Sequence, residues 1–355
     1  MASGRSRSPG NSRASQGRRA APWANWSDED LLDLRLCDLD LRIEGTPVAP
    51  RIERVYWELE QRQINLKPHV WFATEWFAPD GVPGFGVPFY LAHPRLMALE
   101  KSKMLEVEGG TEAWCLRILR HEAGHAISNG YRLHYRKSWR DTFGRYSLPY
   151  PDVYRPRPKS RNYVLHLDWW YAQAHPAEDF AETFAVWLKP GSRWRSEYKG
   201  WPALRKLEYV DRTMAEIAGK APAVRSREQS NSLRAERMTL REHYQRRQEQ
   251  YGDDVGDLYD RDLRRLFSAE PRFSSQQTAA QFLWRSKRRL RTAVSEWTRS
   301  HPYTVDRVIR DMADRCKVLE LRLTRSPDET LTDALLMVAM QTMYLVRGGQ
   351  RVVAL

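Results

Sequence analysis

Residues 111–129 constrain this chain more than any other stretch, because they spell a helix with a chemically loaded face. Thr111 suits the capping position and Glu112 puts an acid in the first turn. Cys115, Ile118, Leu119, Ala123, Ala126 and Ile127 recur near the 3.6-residue helical period, and Asn129-Gly130 reads as the stop. Inside this helix stands His121-Glu122-Ala123-Gly124-His125. Side chains four residues apart share one face, so His121 and His125 can present two imidazoles to a single Zn2+. Glu122 stands beside them, where a carboxylate takes a proton from an activated water. The bland alternative is a pair of solvent-facing histidines, which fits less well on a helix whose opposite face is apolar.

A catalytic zinc needs a third protein ligand and an open position. The residues after His125 read AISNGYRLHY, with no histidine at the short spacing of a third-histidine motif; His134 comes too late. The better source is HPAEDFAETFAVWL, read as a helix over about 177–189. There Glu178 and Glu182 are i and i+4 on one face, while Phe180, Phe184 and Trp187 make a separate apolar face. One carboxylate would bind the metal. The other would accept the outer N–H of a ligand imidazole and fix its tautomer. An ordinary acidic helix start, favoured by the helix dipole, is the competing reading.

RHEAGH paired with YAQAHPAEDFAETFAVWL resembles the zinc-binding metallopeptidases of the gluzincin group, in which an HExxH helix is followed by a Y-x-x-x-H-P-x-E-D-x-A-E-x-x-A segment. The likeness is strongest over 111–190 and extends to 51–220. It implies a zincin-like fold and a zinc peptidase. It makes His121, His125 and Glu178 the ligands, Glu122 the general base, and Glu182 the partner of a ligand histidine. Tyr171 falls where the group has a tyrosine that donates to the oxyanion, although packing beside Trp169 and Trp170 explains it equally well. His175 is read as orienting the turn at Pro176. A competing alignment puts Glu182 on the metal.

The rest of the chain is read more coarsely. Residues 1–22 hold five arginines and no acid, without periodicity, and read as a disordered basic tail. They lack the apolar segment of a secretory signal. Ser27 with Asp28, Glu29 and Asp30 starts a helix through about Cys37; Pro50 opens another. HVWFATEWF and GVPFYLAHP read as strands, the second an edge strand because of Pro88. Residues 131–167 read as a long Tyr- and Pro-rich connection. From 224 the chain turns basic, with 25 Lys and Arg against 18 Asp and Glu, and reads as helices near 226–250, 256–268, 276–299, 303–322 and 328–346. The residues 23–223 are nearly balanced, 28 against 27. Arg285, Lys287, Arg288, Arg289 and Arg291 crowd one helix beside Trp284; a solvated face explains them better than a phosphate-binding stripe, because no reading motif accompanies them. Three widely spaced cysteines argue against a disulfide framework and for a reducing cytoplasm. No apolar run approaches the roughly 18 residues of a membrane span.

The expectation is therefore an α+β chain: a basic tail over 1–22, a zincin-like metallopeptidase domain over 23–223 with an antiparallel-edged sheet, and a basic helical module over 224–355. Its activity would be zinc-dependent hydrolysis of a protein or peptide substrate, with only generic polyanion contact through the basic ends and no membrane. The alternative from another class is a nucleic-acid- or protein-binding regulator with a structural or vestigial metal site. A structural zinc has four protein ligands, so coordination number separates the two.

Overall fold

The computed structural model describes residues 21–151, 154, 157, 160–250 and 259–348. All but Ala21 and Pro22 of the expected tail lie outside them. The chain is mixed but mostly helical. In order it forms α1 (Asp28–Leu32), α2 (Ala49–Gln61), β1 (His69–Ala73), β2 (Gly84–Pro88), α3 (Pro94–Met104), α4 (Glu112–Gly130), α5 (Lys137–Phe143), α6 (Pro176–Leu188), α7 (Trp194–Glu197), α8 (Ala203–Ile217) and α9 (Leu240–Gln250). There follow α10 (Asp260–Leu266), β3 (Phe267–Ser268), α11 (Ala279–Thr298), α12 (Pro302–Val318), β4 (Arg322–Leu323) and α13 (Pro327–Gly348). Among the described residues, no helix is long and apolar enough to cross a membrane.

Two large hydrophobic cores and a small third cluster around Trp71, Ala73 and Val82 organise the described residues. The first gathers side chains from Trp23 to Tyr244, the second from Tyr259 to Val338. The second unit was expected to start at 224, where the composition shifts. Instead Leu233, Leu240 and Tyr244 are buried in the first core.

The expected helix after Ser27 is capped as anticipated, the Ser27 hydroxyl accepting from Asp30 N, but it ends at Leu32. Its expected continuation is drawn into contact with a distant strand-like segment. Leu36 N–H donates to Met238 O and Cys37 N–H to Glu236 O, and Arg35 bridges Thr239. The same pairing holds 236–239 extended, so the helix expected from about 226 starts only at Leu240. The expected antiparallel-edged sheet is a parallel pair, β1 with β2, in the register His69↔Gly84 to Ala73↔Pro88. An antiparallel bridge from Phe77 to Gly86 lies on the other side of β2. The strand expected over GVPFYLAHP stops at Pro88; Phe89–Ala92 turn as a 3-10 segment, and His93 Nδ1 caps α3 by accepting from Arg95 N. The 131–167 connection is not one loop, since it contains α5 and a 3-10 turn at Leu133–Tyr135.

The helices α4 and α6 form the centre of the first unit. Thr111 caps α4, its hydroxyl accepting from Trp114 N. On α6, His175 is the cap, Pro176 fills the first turn, and nearly every side chain is buried. The two helices approach closely at Gly124, where a Cβ would stand 2.9 Å from Ala181 Cα and 3.2 Å from Ala181 O. On its other side α4 is tied to α2 by a buried ion pair: Arg120 Nε and Nη2 meet Glu58 Oε2 and Oε1 at 2.7 and 2.8 Å.

Candidate metal centre

Helix α4 turns His121 and His125 toward the first turn of α6, which supplies Glu178. Three potential ligand atoms converge: His121 Nε2 is 3.1 Å from His125 Nε2 and 2.9 Å from Glu178 Oε2, and His125 Nε2 is 3.2 Å from the same oxygen. Among the described residues this is the one such group of three metal-ligating side chains. Zinc bonds of about 2.0–2.1 Å at tetrahedral angles give ligand–ligand edges of about 3.3–3.4 Å, only slightly wider than these. No fourth His, Cys, Asp or Glu joins the group among the described residues.

The surrounding hydrogen bonds aim the three donor atoms. His121 Nδ1 lies 2.9 Å from Glu182 Oε1. An ionised carboxylate only accepts, so Nδ1 carries a proton, and Nε2 is the ring nitrogen that faces the cluster. Glu182 is held in turn by Leu167 N–H, which donates to its Oε2 at 2.8 Å. The Tyr150 hydroxyl donates to Glu178 Oε1 at 2.8 Å, leaving Oε2 to face the histidines. The buried charges of the group compensate one another. Burial opposes charge on His121, but Glu178 and Glu182 outweigh it and raise its pKa well above the usual value. Burial also works against the Glu178 carboxylate, yet His125 and His121 hold its pKa well below the ordinary range.

Glu122, next to His121 in α4, has His121, His125 and Glu178 as its electrostatic neighbours. It is only 6 % exposed, and its Oε2 is buried without a hydrogen-bond partner among the described residues. Burial raises its pKa, with His121 and His125 opposing. Such an orphaned oxygen is costly unless it serves something. The Tyr171 ring lies 5.6 Å from that of His121. Burial first, then Glu178 and Glu122, push its pKa well above the usual value, so the hydroxyl stays a proton donor. The preceding Trp170 adopts φ 55°, a left-handed conformation that costs a non-glycine residue about 1–2 kcal/mol. His175 is outside the cluster: Nδ1 accepts from Ala177 N, and Nε2 meets Leu148 O at 2.9 Å.

The structure thus brings together His121, His125 and Glu178, places Glu122 and Tyr171 at their border, and sets Glu182 behind His121. Sequence reading missed Tyr150, hidden in a Pro-rich connection, although its spacing from Pro149 and Pro151 gave no helical or strand signal to follow. It also missed the Asp179–Lys206 pair, 2.6 Å apart, which ties α6 to α8 behind the ligands. The cavity of about 320 Å³ bordered by Leu36, Arg42, Trp71 and Arg234 shares no residue with the centre.

No known family, curated protein or solved structure matches the chain.

Proposed function

We propose that the chain is a zinc-dependent peptidase with a zincin-like domain, related in kind to the gluzincin group. One observation carries this reading: the convergence of His121 Nε2, His125 Nε2 and Glu178 Oε2 beside the buried, unpartnered Oε2 of Glu122. Two imidazoles and one carboxylate suit zinc better than the all-oxygen cages of calcium or magnesium. Zinc held there would supply a Lewis acid that polarises a carbonyl and acidifies water.

The chain's own residues do the rest. Glu122 accepts the proton of the attacking water at Oε2 and later returns it to the leaving amine. Tyr171 donates its hydroxyl to the developing oxyanion, a contribution of a few kcal/mol in comparable sites (about 2.7–4). Glu182 and Tyr150 keep His121 and Glu178 in the orientation that binding requires. The three cysteines are free, which is consistent with the reducing cytoplasm we propose as its compartment.

The regulator reading draws less support. Lys287 and Arg291 of the basic stripe turn onto Asp306 at 3.0 and 2.8 Å, and Arg310 joins them at 3.1 Å, so part of that charge is spent internally.

Metal analysis with activity measurement tests the proposal. The purified chain should hold about one zinc. His121→Ala and His125→Ala should lose most of it. Glu122→Gln should keep the metal and lose hydrolysis. Full zinc retention by both histidine variants would sink the ligand assignment; a Glu122→Gln variant cutting peptides within a few-fold of wild type would sink the mechanism.

A further inference from the structure

The strand β1 has two edges, and β2 occupies one of them. In a parallel pair, alternate residues of each strand bond to the neighbour, while the residues between them point their N–H and C=O the other way. His69 N–H donates to Pro83 O at 3.3 Å, so His69, Trp71 and Ala73 are the residues of β1 that face β2. Across β2, Gly86 N–H donates to Phe77 O at 2.8 Å, the phase that leaves Phe85 and Val87 for β1. Val70 and Phe72 therefore turn their backbone groups to the outer edge of β1. No hydrogen bond reaches those groups among the described residues. Backbone donors and acceptors in folded chains are nearly always paired, and an open strand edge is a template for another strand.

That edge borders the cavity of about 320 Å³ that shares no residue with the metal centre. Val70, Trp71 and Phe72 all line it. Successive strand residues point to opposite faces, so a space that touches all three lies along the edge of the strand and not on one face. Both flanks are held in place. Trp71 Nε1 donates to Ser230 O at 3.0 Å on one, and on the other Leu36 and Cys37 are bonded to Met238 and Glu236. The buried side chains of Leu36 and Leu233 give the cavity an apolar wall. The charged residues that line it are Asp40, Glu44, Arg42 and Arg234, two of each sign. A lining without net charge does not complement a polyanion. It complements the dipolar main chain of a peptide with uncharged side chains.

We propose that the outer edge of β1 and this cavity form a docking site for an extended peptide segment of a partner protein, which adds as a further strand to the β1–β2 pair. The N–H groups of Val70 and Phe72 donate to carbonyls of the segment, and their C=O groups accept from its amides. Alternate side chains of the segment point into the cavity and rest against Leu36 and Leu233. Main-chain bonds give the affinity in such strand addition, and the alternate side chains give the selectivity. The five residues of β1 span about 17 Å, so the segment recognised is of similar length. The site is separate from the metal centre, and docking does not depend on the peptidase reading.

The test uses the full chain carrying Glu122→Gln, so that binding is read without cleavage. The probes are fluorescein-labelled peptides of alternating threonine and valine whose central residue is Val, Phe, Asp or Lys. Fluorescence anisotropy should show saturable binding of the uncharged ones. The same peptides with N-methylated amides should bind on the order of tenfold more weakly, since their side chains are kept and only the strand hydrogen bonds are lost. Val70→Pro should weaken binding by a similar factor. Proline there removes a donor that β2 does not use, edge strands tolerate it, and thermal melts show whether the variant folds. Cys37 gives a second reading without altering the site. It lines the cavity, while Cys115 and Cys316 are buried, so N-ethylmaleimide reports on Cys37, and bound peptide should slow its alkylation several-fold. No saturable peptide binding at millimolar concentration, equal binding of the N-methylated peptides, or binding that leaves Cys37 alkylation unchanged overturns the proposal. Tighter binding of a single-stranded oligonucleotide than of any peptide overturns it as well. Docking as expected in a chain that, with Glu122 restored, cuts no peptide keeps the site and counts against the peptidase reading alone.

Discussion

Replacing Gly124 with alanine tests whether the spacing of two helices sets the metal centre. The added Cβ would stand 2.9 Å from Ala181 Cα, 3.2 Å from Ala181 O and 3.2 Å from Phe184 Cδ1. Two of these three atoms are backbone, so no rotamer change relieves the contact. Moving from 2.9 Å to the near edge of ordinary contact, 3.4 Å, separates α4 from α6 by about half an ångström. The histidines ride on α4 and Glu178 on α6. A shift of that size exceeds the roughly 0.2 Å within which metal–ligand distances are normally held. Stability should change less than binding does. Overpacking costs about 1–3 kcal/mol and the gain in helix propensity returns about 1, so the net loss is about 0–2 kcal/mol. Zinc affinity should fall by about tenfold or more, equivalent to about 1.4 kcal/mol. Urea denaturation of the metal-free protein gives the first quantity, and competition against a chromophoric chelator gives the second. Ala181→Gly should not rescue the variant, because the clash is with Cα and O. A Gly124→Ala protein that binds zinc within twofold of wild type would refute the coupling of helix spacing to metal geometry.

Two further outcomes are expected. Glu178→Ala should cost more zinc affinity than Glu182→Ala, for which about 10–100-fold is the usual loss on removing an outer partner of a ligand; a crystal structure with a Glu182 oxygen about 2 Å from zinc would reverse the two roles. His243 is buried edge-on to Phe89, and burial with Arg247 and Arg246 lowers its pKa to about 3. It is therefore neutral when folded but titrates near 6.5 when unfolded, so its contribution is complete above that pH and is lost as pH falls toward 3. The loss reaches about 2 kcal/mol at pH 5, and denaturation curves at pH 7 and 5 should show it in wild type and lack it in His243→Phe.

The two helices that carry the centre were legible because their signals are local. Thr111, the apolar stripe and the i, i+4 histidines all act within one helix, as do Pro176 and the acids that follow it. The places where reading failed depend on partners far along the chain. Nothing near Leu36 indicates that its N–H will bond Met238 O, so the early end of α1 and the late start of α9 were both missed for one reason. Gly130 was read as a helix stop, yet it is helical, with the Leu66 side chain packed directly against it. Tyr150 reaches Glu178 only after the chain has folded back from the 131–151 segment, and neither residue hints at the other.

The ion pair between Arg120 and Glu58 bears on how the reactive face keeps its azimuth. A helix is a screw: advancing one residue moves about 1.5 Å along the axis and turns about 100°. A sliding error of a single residue would thus swing His121 away from α6. Arg120, adjacent to His121, is clamped at two points to a carboxylate buried on α2. In a slid or rotated α4 that guanidinium and Glu58 would be separated inside the protein, at a penalty of several kcal/mol (about 3–5). The buried pair therefore penalises the wrong dial settings of α4 more than it strengthens the right one, and what it keeps set is the direction in which the two imidazoles point.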